Sequence, residues 1–329
     1  MKNFSFSATF LSNLSCARRA DYAHNRHLTL KEDKPIYFQE GELGHLFMRY
    51  YYTSRKLAMT HSQSKDAAEE QTRLFYSSGL QLPVEDCERI ILLCLENVEY
   101  WRNDGWNPVR VEEPFAIKLF EDKDYYVQSD SEDAEIEKKI EILRSTYTNG
   151  TDGLNNIIQS LYDSRKGLTL IIEGVIDLEV RSEDGKLDLV DHKFIGRNRE
   201  PDELSYQFML YSWAFNRTRI KINHIGKQKS LKPQDKFSRW IRSYDQFLLD
   251  ETIADITSRV LRWLKDDSDG IYTPDYSSCN KFNTDCLYLR ACKTAPKMRE
   301  AIILNYYRTG EPYNPFKDRN KTGRAAWFD

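Results

Sequence analysis

Thr169–Phe194, TLIIEGVIDLEVRSEDGKLDLVDHKF, reads as two strands joined by a polar turn. Residues 170–180 are rich in Ile, Leu and Val, Ser182-Glu183-Asp184-Gly185-Lys186 supplies turn chemistry, and residues 187–194 resume the apolar alternation. If the hairpin closes around Asp184, residues whose numbers sum to 368 face each other. Asp177 then lies opposite Asp191, with Lys193 two residues on along the same face. Directly opposed carboxylates have Cβ atoms about 5 Å apart, and like charges so placed destabilise a sheet unless something offsets them. Both acids stand in apolar sequence, Gly174-Val175-Ile176-Asp177-Leu178 and Leu189-Val190-Asp191, where burial is expected. A hard, oxygen-seeking divalent cation, Mg²⁺ or Mn²⁺, suits such a pair. Two acids on a solvated sheet face are the plainer alternative.

Gly174-Val175-Ile176-Asp177, Asp191-His192-Lys193 and Gln207-Phe208-Met209-Leu210-Tyr211 follow one another in this order. The set resembles the PD-(D/E)XK nuclease superfamily in its RecB-like branch, whose pattern is G-x-x-D, D/E-x-K and Q-x-x-x-Y. The second acid is Asp191, a variation that the family accepts. The resemblance implies that Asp177 and Asp191 ligate a metal ion, that Lys193 orients or activates the attacking water, and that Gln207 and Tyr211 contact the active site or DNA. Gly41-Glu42-Leu43-Gly44-His45 matches the family's helical G-x-x-x-H segment, which implies His45 as a further metal ligand. Residues 109–120, VRVEEPFAIKLF, read as a strand pair or bent strand. They resemble the E-x-P-F segment that precedes the active-site hairpin in this family, and Glu113 is given no catalytic role. The fold implied is α/β, a restriction-endonuclease-like core with a mixed β-sheet flanked by helices, its N- and C-terminal segments joined by a metal cluster.

The 329 residues are 40% hydrophobic, enough to bury the core of one large or two modest domains. A net charge of −3 gives no global basic signature, which weighs mildly against tight nonspecific nucleic-acid binding. Basic character is local, at residues 197–199, 227–242 and 317–324. No run approaches the ~18 apolar residues of a membrane span, and MKNFSFSATFLSNLSC is too broken by Ser and Asn for an export signal. A cytoplasmic protein is expected.

In that setting six cysteines read as thiols or metal ligands before disulfides. Cys87 and Cys94 lie seven apart in a helical stretch and belong to core packing. Cys279, Cys286 and Cys292 form a C-x6-C-x5-C pattern in a polar segment, and Cys16 stands alone near the N-terminus. One early and three late cysteines again resemble RecB-like nucleases, those with an iron-sulfur staple of the AddB-nuclease and CRISPR-associated exonuclease type. The resemblance implies a [4Fe-4S] cluster on Cys16, Cys279, Cys286 and Cys292. Many such nucleases have C-x2-C where this chain has six intervening residues, which leaves zinc or free thiols open.

The reading divides one nuclease domain into N-terminal helices at 1–60, a helical region with first core strands and an acidic insert at 61–168, the nuclease core at 169–275, and the cysteine segment with a C-terminal tail at 276–329. An amphipathic helix is expected over 7–28, carrying Cys16 and Arg18-Arg19, another over Gly41–Lys56, and charged helical sequence over 60–105. Pro201-Asp202-Glu203 should open a helix whose stripe is Leu204, Phe208, Tyr211 and Phe215. A strand followed by a basic loop is expected over 220–242 and a long helix over 243–265. The function implied is a metal-dependent DNA nuclease, an exonuclease on single-stranded ends in DNA repair, recombination or phage or CRISPR DNA processing, beside a helicase or a recombination or CRISPR protein. The rivals are a catalytically silent DNA-binding module that keeps the fold, and a zinc-dependent interaction protein.

Overall fold

The computed structural model describes residues 2–32, 35–79, 82–123, 125, 138, 140–141, 167–196, 200–228, 230–281 and 284–316. The basic runs at 197–199 and 317–324 and most of the acidic insert lie outside them. In chain order the elements are β1 (Lys2–Phe6), α1 (Ala8–Asn13), α2 (Ala17–Ala20), β2 (Leu28–Leu30), α3 (Ile36–Lys56), α4 (His61–Gly79), α5 (Val84–Tyr100), β3 (Asn107–Asp122), β4 (Leu168–Arg181) and β5 (Leu187–Ile195). There follow α6 (Tyr206–Ala214), β6 (Arg219–Gly226), the short α7 (Pro233–Lys236), β7 (Phe237–Ser243), α8 (Gln246–Ser268), the two-residue strands β8 (Asn280–Lys281) and β9 (Thr284–Asp285), α9 (Leu289–Lys293), α10 (Pro296–Tyr306) and β10 (Tyr307–Thr309). No helix among the described residues is long and apolar enough to cross a membrane.

The chain divides into two compact units, one built from Glu32–Phe115, Gly174–Thr252 and Pro315–Asp329, the other from Met1–Lys31, Ala116–Glu173 and Ile253–Asn314. In the first, β4 pairs antiparallel with β5, β5 parallel with β6, and β6 antiparallel with β7, so the sheet is mixed. Alternation sends Leu178, Val180 and Val190 into a core with Leu43 and Phe47 of α3 and Ile90 and Ile91 of α5. Cys87 and Cys94 are fully buried in it, as the helical spacing predicts. The hairpin register sums to 368, from Arg181↔Leu187 to Leu178↔Val190. Its turn needs Gly185 at φ +77°. The Asp184 side chain accepts the Lys186 N–H at 3.0 Å. Arg219 of β6 clamps the base, 2.9 Å from Asp184 and 2.7 Å from the fully buried Asp188. Burial pushes the Asp188 carboxyl up, but Arg219, Ser182 and Lys221 together hold it below its ordinary value.

In the second unit β1 pairs parallel with Leu168–Ile172 of β4, and β2 pairs antiparallel with β10. Tyr22, Leu28, Tyr288, Ala291, Ile303 and Tyr307 form a small core there.

Several boundaries differ from the sequence reading. The helix expected over 7–28 breaks at Leu14–Cys16 into α1, α2 and a π-helical turn at Asp21–Asn25, and Cys16 caps α2 rather than lying within a helix. The helix expected at Pro201 starts at Tyr206, and Leu204 stays exposed. Phe237–Ser243, read as the end of a basic loop, is the strand β7, because apolar Phe237 and the Arg239 and Trp240 stems find partners on β6 and on the Trp106 ring.

Candidate metal centre

The β4–β5 ladder ends just before the pair of acids. The last paired residues are Leu178 and Val190, and beyond them Asp177 Oδ2 accepts the His192 backbone N–H at 2.8 Å. The carboxylate is thereby fixed on a backbone donor. Asp191 is almost fully buried. Its Oδ1 accepts from Lys193 Nζ at 3.1 Å and from Gln207 Nε2 at 3.2 Å, and Lys193 Nζ also donates to Gln207 Oε1 at 3.2 Å. Asp191 Oδ2 lies 2.9 Å from the Lys193 ammonium but has no well-aligned hydrogen-bond donor. The ion pair is therefore sound as Coulomb attraction and leaves that oxygen a lone pair for another electrophile.

Burial pushes the Asp191 carboxyl up to about 6, against the pull of Lys193 and with a further push from Asp177. Burial works against the Lys193 charge, yet Asp191 and Asp177 hold its ammonium above the ordinary value. The neighbouring His192 is driven down to about 3 by burial. Its ring stacks on Tyr52 at 5.5 Å and meets Asn223 at 3.0 Å. It is a neutral packed ring, not a base.

α3 delivers His45. A Cβ added at Gly44 would fall 2.2 Å from the Phe194 ring, so glycine there lets α3 close onto β5. His45 Nδ1 then sits 3.4 Å from Asp177 Oδ2. Glu112 of β3 completes the group, and ligand atoms of His45, Glu112 and Asp177 all lie within 4.8 Å of one another. One ion with bonds of roughly 2.0–2.6 Å spans such a separation. Glu112 holds φ +46°, a left-handed conformation costing a non-glycine residue about 1–2 kcal/mol, and such strain gathers at functional sites. Asp191 lies outside this trio, beside Lys193.

Glu112 is the residue missed in the sequence. It is the glutamate of the E-x-P-F segment, while attention there falls on Glu113, which lies 3.8 Å from Arg110. Also missed is Glu179, buried two residues past Asp177 and bound by Arg217 at 2.8 Å and Arg110 at 3.4 Å. Its charge is compensated, which removes it from the candidate ligands. Gln207 reaches Asp191, whereas Tyr211, one turn on, sets its ring edge-on to Phe115 at 5.5 Å.

The four remaining cysteines belong to the other unit. The β8–β9 hairpin pairs Asn280 with Asp285, so Cys279 and Cys286 form the next rung, and the Cys286 N–H donates to the Cys279 carbonyl at 2.7 Å. Six intervening residues thus bring two thiols together as a tight turn would. Cys16 Sγ accepts the Asp275 N–H at 3.3 Å. Burial pushes the Cys279 and Cys292 thiols up, and both lie within electrostatic reach of Cys16 and Cys286.

No curated protein matches this sequence. The crystal structure of SSO0001 is similar over 88% of this chain and 85% of that one, at 15% identity and a TM-score of 0.35, a likeness that carries no weight for fold or activity. A family model described as the PD-(D/E)XK nuclease superfamily matches residues 5–293. That span holds His45, Glu112, both acids, Lys193, Gln207 and all four late and early cysteines, and on it the chain belongs to the PD-(D/E)XK nuclease superfamily.

Proposed function

We propose that this chain is a Mg²⁺- or Mn²⁺-dependent deoxyribonuclease, an exonuclease on the ends of single-stranded DNA that serves DNA repair, recombination or phage or CRISPR DNA processing in the cytoplasm beside a helicase or recombination protein. The convergence of His45, Glu112 and Asp177 next to the Asp191–Lys193–Gln207 group is the observation that carries it. The trio would hold the ion, with Asp191, ion-paired with Lys193, as a neighbouring carboxylate able to add a ligand. When bound, a divalent cation polarises a scissile phosphate and acidifies a water. Lys193, fixed by Asp191 and Gln207, positions that water and offsets charge developing on the phosphoryl oxygens. Gln207 orients both the lysine and the carboxylate, and Tyr211 seats α6 against Phe115.

A [4Fe-4S] cluster on Cys16, Cys279, Cys286 and Cys292 is part of this reading, with zinc as the alternative. The hairpin that pairs Cys279 with Cys286 supports it. So do Arg18, whose side chain bonds the Cys292 thiol, and Arg19, within electrostatic reach of Cys279, since four thiolates bring negative charge that guanidinium groups offset. The role is structural, because phosphodiester hydrolysis needs no electron transfer.

Digestion of end-labelled single- and double-stranded DNA with Mg²⁺ or Mn²⁺, and EDTA as control, tests the activity. Metal-dependent loss of label from single strands is expected. DNA binding without cleavage in either metal would favour the catalytically silent module.

A further inference from the structure

A cleft of about 1360 Å³ opens beside the metal centre, in the same unit, with His45, Glu112 and Lys193 in its wall. That exceeds the roughly 300–1,000 Å³ of a small-molecule site and has room for a run of nucleotides. One face is a line along α3: Phe38, Gly41, His45 and Arg49, spaced three or four residues apart and so stacked along one side of the helix.

Three features of this line are unexplained by the fold. A Cβ at Gly41 would meet nothing within 4 Å, although glycine inside a helix is less favourable than alanine. Packing therefore does not require it, and the open space admits something else. The Arg49 guanidinium lies 5.0 Å from the Tyr50 ring centroid, yet its buried Nη2 has no hydrogen-bond partner, a spare donor one turn from His45. The other cations of this wall are engaged: Glu40 binds Arg89 and, at 2.6 Å, Lys227. At the mouth Tyr37 and Phe38 are 52% and 56% exposed with ring centroids 4.5 Å apart. They are anchored, since Lys227 Nζ donates to the Tyr37 carbonyl at 3.1 Å.

We propose that this face of α3 is a single-strand subsite: an unpaired base stacks on Tyr37 and Phe38, the sugar-phosphate backbone passes over Gly41, and Arg49 binds the phosphate adjoining the one at the metal. The inference deepens the nuclease reading and rests on it for the identity of the strand. A paired base cannot present its face to the aromatic platform, so the subsite takes single strands.

The test is fluorescence-anisotropy binding of a labelled oligothymidylate in EDTA, where no cleavage occurs, over a range of salt. Phe38→Ala should weaken binding about tenfold with an unchanged salt slope. Arg49→Gln should weaken it and also lower the slope of log K against log salt by about 0.7, the signature of one lost phosphate contact on a single strand. Gly41→Leu should raise the melting temperature, as a better helix former, while abolishing binding. Wild-type affinity in all three folded variants, or an Arg49→Gln slope equal to wild type, would overturn the subsite. Wild-type binding of duplex as tight as that of single strand would overturn it too. Variants that lose binding in a protein that cleaves no DNA would sink the nuclease reading and leave the subsite standing.

Discussion

Replacing Asp191 with Asn should raise the stability of the metal-free protein relative to wild type as the pH climbs from about 4.5 to about 7.5. Its carboxyl is raised from 3.8 to about 6, first by burial and then by Asp177, in spite of Lys193. A shift of about two units corresponds to about 3 kcal/mol at about 1.4 kcal/mol per unit. The sign follows from an acid whose folded-state value lies above its unfolded one. The cost to stability is fully present above pH about 6 and fades as pH falls toward about 4, where the folded state keeps the proton. That cost is already net of the Lys193 attraction, and the Asp191→Asn substitution also leaves an ammonium that Asp191 holds above its ordinary value without its nearest counter-charge, an effect constant across this pH window. Between pH 4.5 and pH 7.5 in EDTA the variant is therefore expected to gain about 2 kcal/mol on wild type. Urea denaturation of both proteins at the two pH values measures it. Saturating Mn²⁺, about 2.7 kcal/mol at a hundredfold excess over Kd, should stabilise wild type clearly more than the variant. A stability difference between the two proteins that does not change between the two pH values, or a variant equally stabilised by Mn²⁺, would refute the reasoning.

Other residues give independent tests. His45→Ala should raise the Mn²⁺ concentration needed for half-maximal binding in a calorimetric titration, and an unchanged curve would return His45 to an ordinary helical residue. Glu112→Gly should gain about 1 kcal/mol by relieving the positive φ while weakening Mn²⁺ binding; a loss of stability with intact binding would contradict the strained-ligand account. Cys16→Ser should bleach an anaerobically purified brown protein and lower its melting temperature, because the ligand set goes with it. Cys94→Ser should keep the colour and cost ~1–3 kcal/mol of packing, and iron analysis that does not separate the two variants would remove Cys16 from the cluster.

The hairpin was legible because a strand pair has a fixed two-residue period, so the turn at Ser182–Lys186 sets the facing residues, and the observed register keeps the sum of 368 as far as Leu178 and Val190, where pairing ends just short of the two acids. His45 was legible only through the Gly41–His45 resemblance. In the fold the constrained glycine is Gly44, against Phe194, a contact that sequence spacing does not reveal. Glu112 was hidden because its role depends on a left-handed backbone in the middle of β3, whereas alternation assumes extended residues throughout. β7 was missed since Arg239 and Arg242 interrupt its apolar pattern, while in the fold their guanidinium groups lie over the Trp106 and Trp240 rings. The six-residue gap between Cys279 and Cys286 departs from C-x2-C, and that the β8–β9 hairpin sets the two cysteines opposite each other was not readable from that spacing. Hydrogen bonding across two-residue strands is too short a signal to read from sequence.

The central claim is that Asp177, Asp191 and Lys193 form a metal-dependent hydrolytic centre. Cleavage of end-labelled single-stranded DNA under single-turnover conditions with Mn²⁺ tests it, using wild type beside Asp177→Ala, Asp191→Ala and Lys193→Ala. Wild type should degrade the strand, EDTA should stop it, and each variant should lose at least about a hundredfold in rate while keeping its circular-dichroism spectrum. Wild-type rates in Asp191→Ala and Lys193→Ala would contradict the account.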